Sequence, residues 1–331
     1  MQTRPLGPFT VSVIGLGCMS LSHAYGTPPD RATAEAVLKG ALDAGYTHLD
    51  TAALYGLGHN ETLIGEVLGE RRSEFMLASK CGVSRNGQRE LNGRPEVLKE
   101  TCEQSLKNLK TDVIDLYYLH RWDKRVPIEE SVGALADLVA EGKIRTIGLS
   151  EVSAATLRRA HAVHPIAALQ TEYSPWTRNP EVAVLDACRE LGTTFVAFSP
   201  VGRGFLAGGV PSRESLAPGD FRLTMPRFQG EAFETNLRIL EGFKALAREA
   251  GCTPAQLCLA WLNQKDETLV SIPGTANPDH MRQNAAAADV ILSAEVMAAV
   301  EALVNPTTVA GHRYSEGMQA SIDTEDLPKA A

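Results

Sequence analysis

Short runs of β-branched and apolar residues alternate with longer stretches in which apolar residues return every three or four positions, and the alternation persists along most of the chain. The short runs predict strands at Val11 to Leu16, Thr47 to Asp50, Phe75 to Lys80, Ile114 to His120, Arg145 to Ser150, Ala167 to Gln170, Thr194 to Phe198 and Leu269 to Ile272. The longer stretches read as helices, with one apolar face in Val37, Leu38, Ala41 and Leu42 and another in Leu98, Cys102, Leu106 and Leu109. Asp30 is placed to cap the first helix, and Gly45 and Gly142 to end the first and fourth. Repeated strand-helix units imply right-handed crossovers and a parallel sheet. Eight of them predict an α/β fold closed into a (β/α)8 TIM barrel.

Two segments interrupt the repeat. The stretch from Leu206 to Phe233, rich in Gly, Pro, Arg and Ser, is too long for an ordinary connection and is expected to be a functional cover. An extra helix from about Glu234 to Ala250 then precedes the seventh barrel helix, which starts at Thr253-Pro254. Ser293 to Val304 predicts a C-terminal helix, and the residues from Asn305 onward are expected to pack only partly. No boundary or low-complexity tract divides the chain, so residues 1–331 are expected to form a single barrel domain.

Composition narrows the class. A chain of 331 residues that is 44% hydrophobic can bury a large core. The net charge of −8, without a basic block, argues against nucleic-acid or membrane partners and for a small molecule. Cys18, Cys81, Cys102, Cys188, Cys252 and Cys258 show neither a C-x-x-C pair nor a His-rich neighbour, so no metal is expected and the thiols read as reduced. No apolar run approaches bilayer length, and the expected location is the cytoplasm. Oligomeric state and physiological substrate are not legible.

The chemistry concentrates at strand ends. Asp50 and Tyr55 follow the second strand, Lys80 closes the third and His120 closes the fourth. In a parallel barrel these positions converge on the carboxyl-terminal rim, where active sites are built. A carbonyl receiving hydride needs a proton donor at oxygen, and a phenol is too weak an acid unless perturbed. A lysine cation about 4 Å away favours phenolate by up to about 4 kcal/mol at an effective dielectric near 20, less whatever burial takes back. Asp50 is placed to fix that lysine, and His120 to donate a hydrogen bond to the carbonyl oxygen.

The run His48-Leu49-Asp50-Thr51-Ala52-Ala53-Leu54-Tyr55-Gly56, with Ala78-Ser79-Lys80 and Tyr117-Tyr118-Leu119-His120-Arg121, resembles the aldo-keto reductase superfamily. Gly148 to Ser153, Leu169 to Ser174, Phe198 to Leu206 and Ile272 to Asn284 follow in that family's order. The resemblance implies NADPH-dependent reduction of an aldehyde or ketone, with Tyr55 as acid and Lys80, His120 and Asp50 as its supports. It assigns the nicotinamide carboxamide to Ser150, Gln170 and Glu151, the nicotinamide face to Phe198, and the pyrophosphate to the loop of Ser199, Pro200, Gly202, Arg203, Gly204 and Leu206. Gly274 and Thr275, with the helix carrying His280, Arg282, Gln283 and Asn284, would hold the adenosine end. Where the family commonly places Lys or Arg for the 2′-phosphate, this chain has Ala276 and Asn277, so a narrowed NADPH preference with NADH possible is expected. Met19, His23, Tyr25, Leu54, Trp122 and Trp176 are the candidate substrate contacts. The resemblance also admits a regulatory barrel subunit with little turnover, like the potassium-channel β subunits. A Schiff-base aldolase would need Lys80 neutral, which Asp50 opposes.

Overall fold

The computed structural model describes residues 1–22, 25–86 and 88–327. Eight parallel strands form the sheet: β1 (Leu16–Gly17), β2 (His48–Asp50), β3 (Met76–Cys81), β4 (Ile114–Leu119), β5 (Ile144–Ser150), β6 (Ile166–Glu172), β7 (Thr194–Phe198) and β8 (Leu269–Ile272). Each neighbours the next in sequence order, and parallel bridges Ile14 to Ser271 and Gly17 to Gly274 bring β8 back to the β1 segment. The fold is a (β/α)8 TIM barrel, as the strand-helix repeat predicts.

Strand periodicity sorts the side chains. Met76, Ala78, Leu116, Tyr118, Ala168, Val196, Val270 and Ile272 form an inner core, while Leu77, Leu119, Leu149 and Leu169 join the outer one between sheet and helices. The two-residue period carries the inward face to the rim, so Lys80 follows Ala78, His120 follows Tyr118, and Gln170 follows Ala168. Gly148 is required on this face, because a Cβ there would collide with the Tyr118 ring.

The predicted first strand is corrected. Phe9–Ser12 pairs antiparallel with Thr3–Leu6 in a hairpin, and the barrel strand proper is only Leu16–Gly17. One stretch of chain serves two purposes: Leu6 and Val11 plug the inner core, and Val13 to Gly17 close the sheet through bonds such as Gly15 N to Ser271 O at 2.7 Å. A second hairpin, Val83–Asn86 with Gln88–Leu91, escapes the hydrophobic pattern.

Helix signals hold where caps are explicit. Asp30 accepts from Thr33 N at 2.8 Å ahead of Arg31–Asp43. Thr253 and Gln256 form a reciprocal capping box at the start of Pro254–Lys265, the seventh barrel helix, and the extra helix before it spans Gly230–Glu249. The C-terminal helix is Ala294–Leu303. No helix among the described residues is long and apolar enough to cross a membrane.

The tail packs only partly, as expected, but the residues it does bury matter to the site. Beyond Asn305 it crosses the rim and buries Arg313, Tyr314 and Ile322. Asp323 anchors it at the start of helix Ala154–Val163, accepting from Ser153 N at 3.2 Å, Ser153 Oγ at 3.0 Å and Thr156 Oγ1 at 2.7 Å. An anion at a helix amino terminus is favoured by the dipole. The long segment after β7 is likewise fastened at its far end by buried Met225, Arg227 and Phe228, with Arg227 Nη1 donating to Trp176 O at 2.7 Å.

Candidate active site

Strand alternation delivers Asp50 and Lys80 to the rim, and the turn after β2 delivers Tyr55 between them. That turn is tight: Gly56, Leu57 and Gly58 adopt φ values of 58°, 55° and 88°. Lys80, 1% exposed, ion-pairs with Asp50 and donates to Thr51 O at 2.8 Å and to Tyr55 Oη at 3.3 Å. Gln170 Nε2 takes the other Asp50 oxygen at 2.7 Å. The His120 ring meets Tyr55 edge-on, with centroids 5.8 Å apart.

Burial and charge compete at each group. Burial pushes the Tyr55 phenol above its ordinary value, and Lys80 and Arg121 pull it back only in part. Burial outweighs the lysine here, against the expected net lowering, and keeps the phenol protonated at neutral pH. Burial would lower the Lys80 ammonium, yet Asp50 and Tyr55 outweigh that and raise it. Lys80 therefore stays charged. His48, fully buried behind the site, is lowered to about 4 by desolvation and is neutral.

A cavity of about 1160 Å³ opens over these groups. Its wall includes Asp50, Tyr55, His120, Ser150, Gln170, Phe198, Ser199, Pro200, Arg203, Gly204, Gly274 and Thr275, together with Met19, Tyr25 and Leu54. Left-handed φ values at Ser199 (49°), Gly202 (59°), Arg203 (58°) and Gly204 (83°) coil the loop after β7 tightly against it. His23 lies outside the described residues.

Several candidates stand elsewhere. Glu151, at φ 58°, is not on the cavity wall, and its carboxylate accepts from Arg313 (3.1 and 2.6 Å) and the Glu172 amide (3.0 Å). Trp122 packs with Nε1 on Val126 O at 2.9 Å, and Trp176 stacks on Phe205 with centroids 4.5 Å apart. Neither ring reaches the cavity wall, nor do Gly202 and buried Leu206. His280, Arg282, Gln283 and Asn284 lie on the helix Pro278–Ala286, outside the wall, and Arg282 is paired with Asp279 at 2.8 Å. Arg203 is spent on Glu172 (2.5 Å) and Tyr314 Oη (2.9 Å).

The cavity also has wall residues not singled out in the sequence, although Leu206 to Phe233 was expected to be a functional cover. Asp220, Phe221 and Arg222 come from the long segment, Tyr314 and Met318 from the tail, and Arg121 from the end of β4. The available signals were that Arg121 adjoins His120 and that Arg313-Tyr314 is a basic-aromatic pair in the tail.

The sequence matches the aldo/keto reductase family over residues 13–305. The chain belongs to this family. A Schizosaccharomyces pombe aldo-keto reductase named for NADP(+) is 42% identical, with 99% of each chain covered. A probable aldo-keto reductase of Glycine max is 43% identical over 94% of this chain and 90% of its own. Among solved structures, a glycerol dehydrogenase from Gluconobacter oxydans superposes with a TM-score of 0.81 at 27% identity, covering 91% of this chain and 94% of its own. An aldo-keto reductase from Bacillus halodurans gives 0.76 at 27%, covering 94% and 98%. This aldo-keto reductase is an NAD(P)H-dependent oxidoreductase acting on carbonyl and alcohol groups.

The reductase's tail is held through Glu151. Burial would raise that carboxyl, but Arg313 first and Arg121 second hold it below the ordinary range. Replacing Arg313 with Met leaves the carboxylate buried and largely uncompensated, which should cost about 3–5 kcal/mol in urea unfolding at neutral pH. The sign of the pH effect follows. In wild type this contribution is full above the unfolded carboxyl pKa and is lost as pH falls through the lowered folded value. In the variant burial dominates, the folded value rises, and stability is instead lost as pH climbs. An R313M protein with an unchanged unfolding midpoint would show that the pair does not hold the tail.

Proposed function

We propose that this enzyme reversibly reduces an aldehyde or ketone to the alcohol, with Tyr55 as the proton donor and NADPH as the preferred cofactor. The supporting observation is the buried Lys80 ammonium 3.3 Å from Tyr55 Oη and tied to Asp50. Bound NADPH would supply the hydride to the carbonyl carbon. The chain's own task is then the charge that develops on oxygen. Tyr55, protonated at rest, gives up its proton, and the adjacent Lys80 cation stabilises the phenolate left behind. Asp50 and Thr51 O hold that cation in place, and His120, beside Tyr55, orients the carbonyl. For oxidation the same groups run in reverse.

The donor set fits a nicotinamide dinucleotide. Ser150 and Gln170 offer polar groups at one end of the cavity, Phe198 a partly buried aromatic face, and the coiled Ser199 to Gly204 loop a tight backbone approach. At the Gly274–Thr275 end the helix amides are partly used: Asn277 Oδ1 accepts from Asp279 N (2.8 Å) and His280 N (3.3 Å). With Ala276 on the wall and Arg282 paired, a 2′-phosphate finds fewer free cations there than a Lys-Arg clamp would give. NADPH preference over NADH is therefore narrow.

Two experiments test this reading. Tyr55→Phe keeps the ring and removes the proton, so kcat for a generic aldehyde should fall at least about a hundredfold with cofactor affinity little changed. Near-normal turnover would remove Tyr55 from the role. Ala276→Lys should tighten NADPH about tenfold and leave NADH nearly unchanged, from one added charge-assisted bond. Tighter binding of NADH than NADPH by wild type would overturn the cofactor assignment.

A further inference from the structure

Three arginines line the cavity. Arg203 is neutralised by Glu172 at 2.5 Å and Arg222 by Asp220 at 2.7 Å. Arg121 is different. It is 9% exposed, and no carboxylate lies within 4.0 Å of it among the described residues. Its Nη1 donates to His120 O at 2.5 Å and Ser150 Oγ at 3.0 Å, both uncharged acceptors, and its buried Nε has no acceptor among the described residues.

The nearby carboxylates are already committed. Glu151 feels the Arg121 charge, but its oxygens are occupied by Arg313 and the Glu172 amide. Asp50 is shared between Lys80 and Gln170. A buried guanidinium without a counter-ion is costly to maintain, and a planar fork of this kind matches a carboxylate. The structure therefore presents an unneutralised cation on the cavity wall, directly after His120.

We propose that Arg121 is a substrate subsite for a carboxylate, and that the preferred substrates are oxo acids, aldehydes or ketones that carry a carboxylate near the reducible carbonyl. This rests on the carbonyl-reductase reading above. Arg121 follows β4 and bonds to the end of β5, whereas the coiled loop follows β7 and Gly274 follows β8, on the far side of the eight-stranded barrel. A cofactor phosphate at that far side leaves Arg121 uncompensated. Arg121 directly follows His120, whose ring meets Tyr55 at 5.8 Å, and lines the same cavity, so an anion seated on it shares that space with the carbonyl that Tyr55 protonates.

The test compares kcat/KM for pyruvate, 4-oxobutanoate and 4-formylbenzoate, each against its own methyl ester, with NADPH at low ionic strength. The acid should exceed its ester by tenfold or more in at least one pair. Arg121→Gln should cut that acid-to-ester ratio at least tenfold, and Arg121→Lys, which keeps the charge, should retain much of it. The ratio separates recognition from support: if Arg121 only braces His120 and Ser150, both substrates fall together and the ratio stays fixed. Esters reduced as well as or better than acids in all three wild-type pairs would overturn the subsite while leaving the carbonyl-reductase reading standing. Turnover of neither member of any pair would bring down that reading, and the subsite with it.

Discussion

The site depends on keeping one ion pair out of water. Lys80 and Asp50 are 1% and 2% exposed, and isolated charges at that depth would each cost several kcal/mol. What makes the burial tolerable is completeness. The ammonium spends its donors on Asp50, Thr51 O and Tyr55 Oη, and the second carboxylate oxygen takes Gln170. Three strand ends, those of β2, β3 and β6, supply these groups, so the barrel's register and the lysine's charge state depend on each other. Tyr55 is then a neutral acid placed where its anion is stabilised.

A second layer of buried charge stands beside the first. Glu151 with Arg313 and Glu172 with Arg203 link the ends of β5 and β6 to the tail and to the loop after β7. Arg313 also approaches Glu172 at 3.8 Å, which joins the two pairs. These contacts turn the tail into a wall of the cavity and set Tyr314 over it. They also consume the carboxylates that might have neutralised Arg121, so the uncompensated cation follows from the packing of the tail.

Asp50, Lys80, His120, Ser150 and Gln170 were legible because a two-residue period carries the inward face of a buried strand up to the rim, and strand ends can be counted. Glu151 was not, since a left-handed residue breaks that period and its partner lies 162 residues away. Trp122 and Trp176 show a different gap: an aromatic in a rim loop can face the mouth or pack behind it, and composition does not choose. The first strand was misplaced because the predicted run Val11 to Leu16 spans the end of the hairpin and the start of the barrel strand. The tail's place on the cavity wall was not legible because it rests on capping and ion pairs rather than on hydrophobic periodicity.

The central claim is that Lys80 is a permanently charged lysine held by Asp50. It is tested by the 15N resonance of the Lys80 side chain, assigned by its loss in a Lys80→Met variant and followed through an alkaline titration of the folded protein. Asp50 and Tyr55 raise this group above the ordinary 10.5, so the ammonium shift should persist past that pH. An amine shift appearing near neutral pH would contradict the account, and would instead supply the neutral nucleophile that Schiff-base chemistry requires.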